Sequence, residues 1–277
     1  MSVASKIMDL LVVALARTKF AKVNRFMFNL SIRALGILNY RDSEESGEKY
    51  FLRKLLSDYR PDDGGTKGVI LDVGANVGAY SRQILEIAPA ARIYCFEPGP
   101  ANVGRLEASL GAQVTVVPVA VGSKTGSVAL YDYEAGDGSS HASLHPGVFE
   151  RIHQQPHRSR VVAVTTIDQF VERHSIGAIT LLKVDVEGHE LEVLKGAATT
   201  IREKKIDVVQ FEFNEMNVVT RVFLSDFFDV LPDFVFFRLL PHGWIPISTR
   251  PIGNIFAFQN IVAVRSDSSV LTLFARG

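Results

Sequence analysis

A single cysteine, Cys95, in 277 residues leaves no intrachain disulfide to form and no Cys-rich zinc site to build. Net charge is also missing. Thirty Lys+Arg balance thirty Asp+Glu, which argues against a broad electrostatic grip on nucleic acid, and no nucleic-acid partner is expected. No apolar run approaches the roughly 18–20 residues that span a bilayer. The nearest candidate, Ile7 to Ala16, follows Lys6, is broken by Asp9 and ends in Ala14-Leu15-Ala16, which imitates a signal-peptide cleavage site. That stretch is short for a signal sequence, and Val3, Ile7, Leu10, Leu11 and Ala14 fall on one face of an amphipathic helix. No long heptad or Gly-X-Y register and no internal repeat is present, which excludes coiled coil and collagen, and the aromatic content excludes disorder. What remains is a globular chain, 47% hydrophobic, long enough to bury the core of one large α/β domain. One thiol suits a reducing, cytoplasmic setting.

Three helices are expected before residue 60, over Val3–Ala16, Phe20–Leu38 and Gly47–Tyr59. Charge is polarised there: Lys6, Arg17, Lys19, Lys22, Arg25, Arg33 and Arg41 stand against Asp9 alone, and the acids Asp42, Glu44, Glu45 and Glu48 follow. Such an arm can lie on an anionic membrane or contact a second copy of the chain. The amphipathic spacing favours a simpler role, a helical cap packed on the main domain with its lysines solvated. The breaker-rich segment Pro61-Asp62-Asp63-Gly64-Gly65-Thr66 divides this N-terminal extension, 1–60, from the main domain, 61–277.

Beyond it, short apolar runs alternate with amphipathic stretches. Strands are expected at Val69–Val73, Arg92–Phe96, Val114–Val121, Ser127–Tyr133, Ile179–Val184, Val208–Phe213, Phe234–Leu239 and Ile255–Val264. Helices carry Tyr80, Ile84 and Ile87, then Ala101–Leu110, then Leu191, Leu194, Ala198 and Ile201. Thr166 and Gln169 form a capping box opening a further helix to His174. Residues 134–160 look like loop. The alternation predicts an α/β fold with a mostly parallel central sheet and helices on both faces.

The first strand of this series runs into Asp72-Val73-Gly74-Ala75-Asn76-Val77-Gly78. Gly74 and Gly78 permit a sharp turn and a close backbone approach to a ligand. The next strand ends in Cys95-Phe96-Glu97-Pro98, and Glu97, 25 positions after Asp72, can accept both ribose hydroxyls of a nucleoside at the carboxyl end of the sheet. A dinucleotide fingerprint requires a middle glycine where Asn76 stands, and Asn76 would crowd a pyrophosphate. Asp72 is placed to orient an ammonium group. The combination favours S-adenosyl-L-methionine over a nicotinamide cofactor, leaving a nicotinamide-dependent oxidoreductase and a non-catalytic ligand-binding scaffold as the alternatives.

Together with Phe96-Glu97-Pro98-Gly99-Pro100 and Leu182-Lys183-Val184-Asp185-Val186-Glu187-Gly188-His189-Glu190, this block resembles the signature blocks of the FkbM-type methyltransferases. The likeness spans roughly residues 46 to 265, including Ser46-Gly47-Glu48, Val119-Ala120-Val121-Gly122 and Phe211-Glu212-Phe213. It implies a class I, Rossmann-like methyltransferase fold and O-methylation, with S-adenosyl-L-methionine as donor and a sugar, glycolipid or polyketide-type product as acceptor. Residues 1 to about 45 lie outside it, and the acceptor is not set by family. The cofactor-binding set is then Asp72, Gly74, Asn76, Gly78, Glu97 and Pro98.

Alternation puts Lys183 and Asp185 on one side of their strand, where it meets a helix. A hydroxyl attacks a sulfonium methyl only once a base or metal takes its proton. The catalytic candidates are Asp185 and His189, tuned by Lys183, with Glu212 reaching the same region from the neighbouring strand. No metal is assigned; if one is present, Asp185 and Glu212 hold it. Glu187 and Glu190 suit a helix N-terminus. His141, His145, His153 and His157 share one Gly/Pro-containing loop, which suits solvated histidines or an acceptor-binding lid better than zinc. Tyr131, Tyr133, Ser139 and Ser140 are acceptor-contact candidates there. Phe227, Phe228, Phe234, Phe236 and Phe237 should be core, and Trp244, after His242-Gly243, stacks on a sugar or covers a sheet edge.

Overall fold

The computed structural model describes residues 3–57, 69–134, 138–139, 141–250 and 254–275. The 61–66 linker, Gly136 and Ser140 lie outside the described residues. Helices α1 (Val3–Leu15), α2 (Ala21–Ala34) and α3 (Glu48–Ser57) come first. The α/β alternation follows: β1 (Val69–Val73), α4 (Ala79–Ile87), β2 (Arg92–Phe96), α5 (Pro100–Leu110) and β3 (Thr115–Val117). The chain then makes β4 (Ala120–Val121), β5 (Gly126–Tyr133), a short turn of helix α6 (Pro146–Val148) continued as a π-turn to His153, and β6 (His157–Thr165). It returns through α7 (Ile167–Arg173), β7 (Ile179–Val184), α8 (Glu190–Lys195), α9 (Ala198–Arg202) and β8 (Ile206–Phe213). Helices α10 (Met216–Thr220) and α11 (Leu224–Val230), strands β9 (Phe234–Leu240), β10 (Gly243–Pro246) and β11 (Gln259–Arg265), and α12 (Leu271–Phe274) close it.

The main sheet runs β10-β9-β11-β8-β7-β1-β2-β3. Its β3 to β8 half is parallel, whereas β11, β9 and β10 are each antiparallel to their neighbours. The strand order reverses between β1 and β7, so a crevice opens at the carboxyl ends of β1, β2, β7 and β8. One face packs on α7, α8 and α11 through Phe170, Leu191, Leu194 and Phe227. The other packs on α3, α4, α5 and α12 through Phe51, Leu55, Ile84 and Leu106. Each fully buried Leu or Phe side chain contributes about 1.5–3 kcal/mol; Phe51, Leu52 and Leu55 thereby seat α3 firmly and carry Glu48 to the rim of the crevice.

Several expected elements differ. The single strand over Val114–Val121 is two, because Pro118 has no N–H for a ladder and turns the chain out of the main sheet. A second sheet, β4-β6-β5, forms there. Strand β6 lies in a stretch expected to be loop; Arg158 and Arg160 stand on the same face as buried Val162, and exposed Val161 stands on the other, so no apolar-in, polar-out alternation showed. The helix expected through Leu191 and Ile201 breaks at Gly196, where a Cβ would sit 2.1 Å from the Gly122 carbonyl oxygen. Strand β10 was expected to be only a turn: Trp244 is buried there, donates to Phe274 O at 3.2 Å, and covers the sheet edge. The phenylalanine run is largely core, as expected, with Phe228 half-buried.

The extension over 1–60 splits in two. Helix α3 belongs to the core, whereas α1 and α2 project away from it and Ile32 is the one buried residue of α2. The packed-cap expectation therefore fails for most of both: apart from Ile32, none of their described apolar side chains is buried. Among the described residues no helix is long and apolar enough to cross a membrane.

Candidate active site

Residues 74–78 turn through left-handed backbone at Gly74 (φ +84°), Asn76 (φ +49°) and Gly78 (φ +80°). A Cβ on Gly74 would lie 1.8 Å from the Asp185 carbonyl oxygen, so glycine is demanded by the loop after β7 as much as by any ligand. Gly78 serves packing: its Cβ would lie 2.5 Å from Leu106 and 2.7 Å from Leu110 of α5, and it lines neither cavity of the crevice. Gly74 and Ala75 N–H both donate to Phe96 O, tying the turn to the tip of β2.

Two cavities adjoin at this turn. One, of about 550 Å³, is lined by Phe96, Glu97, Pro98, Asn102 and Val121. The other, of about 910 Å³, is lined by Tyr40, Glu48, Asp72, Tyr80, Gln83 and Lys183. Gly74, Asn76 and Asp185 belong to both. Glu97 is buried, and its carboxylate accepts from Asn76 N–H at 3.0 Å and Gly99 N–H at 2.7 Å. Burial raises its pKa, against the opposing pull of these two N–H groups and the Asn102 amide. A carboxylate offers about four lone-pair sites, so at least one is left for a hydroxyl donor. Asp72 sits deeper, accepts from Ser81 Oγ at 2.6 Å, and is pushed up to about 6 by burial. Two buried acceptors in the cavity walls, Asn76 Oδ1 and Gln83 Oε1, have no partner. Orphaned acceptors of this kind call for donor groups from outside the chain. They fit an adenosyl amino-acid cofactor, rich in hydroxyl and ammonium donors, spanning the two cavities.

Strand register builds the polar floor. Asp72 pairs with Lys183 across β1 and β7, and Lys183 with Gln210 across β7 and β8. The Lys183 ammonium is buried, 3.3 Å from Asp185 Oδ2 and 3.7 Å from Glu48 Oε1. Burial alone would lower its pKa, but Asp185, Glu48, Glu212 and Asp72 outweigh burial and hold it above its ordinary value. Gln210 ties the group together, donating to Glu48 Oε1 at 2.8 Å and accepting from the Tyr80 hydroxyl at 2.5 Å. Glu212 lines the same cavity, its carboxyl raised well above the usual range by burial and by Asp185. Among the described residues no group of three or more His, Cys, Asp or Glu side chains could hold a metal ion.

The remaining candidates lie to one side. His189 caps α8 and lines neither cavity; its Nδ1 lies 3.1 Å from His145 Nε2, and burial, with His145, pushes it down to about 4. His141 Nδ1 lies 3.4 Å from Glu187 Oε1, and Ser143 Oγ donates to Glu187 O at 2.7 Å. The histidine loop is thus clipped over the end of β7 rather than simply solvated. Its Ser139 lines the first cavity, while Tyr133 packs on Phe149 and His153. Glu190 accepts from Val186 and Gly188 N–H, which is the structural role expected of it.

Sequence reasoning missed Glu48, Tyr80, Gln83 and Gln210 as site residues. Gln210 did carry a signal, an amide between the apolar Val208-Val209 and Phe211 in the middle of a buried strand. Glu48 stood in the family lead-in but reaches the site only through the seating of α3.

Residues 72–235 match the family model described as "Methyltransferase FkbM domain". The chain is 27% identical over 200 residues to "Hexuronic acid methyltransferase AglP" of Haloferax volcanii, covering 71% of this chain and 75% of that protein. It is 25% identical over 185 residues to "2-O-methyltransferase NoeI" of Sinorhizobium fredii, covering 63% of this chain and 75% of that one. The crystal structure of methyltransferase FkbM from Methylobacillus flagellatus KT superposes with a TM-score of 0.44 at 16% identity. That superposition covers 76% of this chain and 47% of the other, just under half its length.

Proposed function

This chain belongs to the FkbM methyltransferase family, whose methyl donor is S-adenosyl-L-methionine, and we propose that it methylates a hydroxyl of a carbohydrate-containing acceptor. The observation that carries this reading is the position of Asp185. It lines both the cavity that suits an adenosine and the polar cavity beside it, where Tyr40, Ser43 and Ser46 offer hydroxyls to a polyhydroxyl substrate. The two relatives named above, one for hexuronic acid and one for 2-O-methylation, support a sugar hydroxyl.

When bound, the donor supplies an electrophilic methyl on a sulfonium centre. Glu97 and its two backbone N–H partners hold the ribose hydroxyls, with Pro98 beside them. Asn76 Oδ1, Gln83 Oε1 and Asp72 receive the ammonium end. Asp185 would take the acceptor's hydroxyl proton while that oxygen gains the methyl and the methyl–sulfur bond breaks, S-adenosylhomocysteine being the leaving group. Lys183 holds Asp185 in place, Glu48 and the Tyr80 ring hold Lys183, and Gln210 fixes Glu48. Glu212, its carboxyl raised by burial and by Asp185, lines the same cavity. His189 has no part in this scheme.

Calorimetry on the purified protein should show binding of S-adenosyl-L-methionine and S-adenosylhomocysteine and none of NAD. Asp185→Asn should keep that affinity and lose about 100-fold or more in methyl transfer to glycan and glycolipid extracts. Binding of NAD instead, or near-normal turnover in Asp185→Asn, overturns the reading.

A further inference from the structure

Helices α1 and α2 are the part of the chain that its own core does not use. From Lys6 to Lys19 every residue is exposed, including Ile7, Leu10, Leu11 and Val13. In α2, Val23, Phe26, Met27 and Leu30 follow i, i+3, i+4, i+7 spacing on one face, and each is more than half exposed, Phe26 at 65%. Water is a poor environment for that much contiguous apolar surface.

Charge says what covers it. Among the described residues, the ion pairs of this stretch are those of Arg33 and Arg41 with Glu45, at 3.7 and 3.1 Å. Lys6, Arg17, Lys19, Lys22 and Arg25 make no ion pair among the described residues, Lys19 lying over the Phe20 ring at 5.0 Å, and Asp9 is the single acid beside them. A symmetric contact between two copies would set these cations against themselves. An anionic lipid surface complements both the charge and the apolar face. At 1.5 Å per residue, α1 is about 20 Å long, short of the ~30 Å hydrocarbon core, so it lies in the interface rather than across it.

The arm is fixed at its base. Leu38 N–H donates to Phe258 O at 2.8 Å, Arg238 Nη1 donates to Leu35 O at 3.3 Å, and a Cβ on Gly36 would lie 2.3 Å from Leu239 O. The next residues, Tyr40, Asp42, Ser43 and Ser46, wall the polar cavity. We propose that α1 and α2 dock the protein on an anionic bilayer and so set its polar cavity beside the membrane surface. This stands independently of the chemistry assigned to that cavity.

The full chain should co-sediment with phosphatidylcholine vesicles that contain phosphatidylglycerol, about tenfold or more beyond vesicles of phosphatidylcholine alone, and high salt should release it. Lys19→Glu/Lys22→Glu/Arg25→Glu should abolish the difference, and Phe26→Ser/Leu30→Ser should weaken binding to both kinds of vesicle. Both variants alter exposed side chains and should keep the wild-type melting temperature and S-adenosylhomocysteine affinity, which separates failure of docking from failure of the fold or site. Equal partition onto neutral and anionic vesicles, or retained binding in the triple variant, overturns the proposal. So does a dimer in sedimentation that forms through the arm while no vesicle binds.

Discussion

Lys183→Met removes the charge at the centre of the site while keeping nearly the same side-chain volume. Lys183 is buried and faces Asp185 at 3.3 Å and Glu48 at 3.7 Å, with Glu212 and Asp72 also felt through space. Deleting one partner of a buried ion pair costs about 3–5 kcal/mol, because the other charge is left uncompensated. The low end, about 3 kcal/mol, applies here, since the Asp185 side chain keeps 35% of its surface in water. At 2–4 °C per kcal/mol for a chain near this size, the melting temperature should fall roughly 6–12 °C. The pH dependence sharpens the test. In the wild type, the raised lysine pKa contributes stability that is fully present below the unfolded value near ~10.4 and is lost only above it, so Lys183 stays charged from about pH 5 to pH 8. In the variant, Asp72, already at about 6, and the raised Glu212 lose the cation that restrains them. A carboxyl raised on folding holds a proton that the unfolded chain gives up, so stability falls as pH rises through that interval. The deficit of Lys183→Met should therefore be smaller near pH 5 than near pH 8, by scanning calorimetry across that range. A deficit under about 1 kcal/mol, or one that does not change with pH, would refute the charge-cluster reasoning.

Glu97→Ala removes the carboxylate that bridges Asn76 and Gly99 N–H, and should weaken S-adenosylhomocysteine binding by about 1.5–3 kcal/mol, or roughly 10- to 150-fold, by calorimetry; unchanged affinity contradicts the ribose assignment. Gly74→Ala drives a Cβ to 1.8 Å from Asp185 O at φ +84°, and should cost about 3 kcal/mol or more in thermal melting; a melting temperature within about 1 °C of wild type would show that the β7 loop yields freely. Thr166→Ala deletes the cap that accepts from Gln169 N–H at 3.1 Å, and should cost about 1 kcal/mol without touching cofactor affinity.

The parallel half of the sheet was legible because its strands are short apolar runs ended by glycine or acid. Asp72, Glu97, Lys183 and Asp185 stand where that pattern put them, at or just below the carboxyl ends of β1, β2 and β7. Strand β6 was not legible, since its inner face carries Arg158 and Arg160 beside Val162 while apolar Val161 faces water. Gly78 was assigned to the ligand because glycine reports left-handed backbone without saying what approaches it, and here α5 does. His189 looked catalytic from its place after Asp185, but the turn at Glu187 and Gly188 swings it toward His145. Glu48 and Gln210 act through contacts spanning 162 residues, which no local pattern contains. The exposure of α1 and α2 was likewise invisible: an amphipathic stripe looks the same whether it meets a core or a membrane.

The most direct test of methyl transfer to a carbohydrate hydroxyl is mass spectrometry of glycans and glycolipids from cells that make the wild-type chain, Asp185→Asn, or neither. One species heavier by about 14 Da, the net CH₂ gained when a methyl replaces the hydroxyl hydrogen, is expected with the wild type and absent from the other two, with the added methyl on an oxygen of a sugar ring. An unchanged profile across the three, or the same increment with Asp185→Asn at wild-type level, would contradict it.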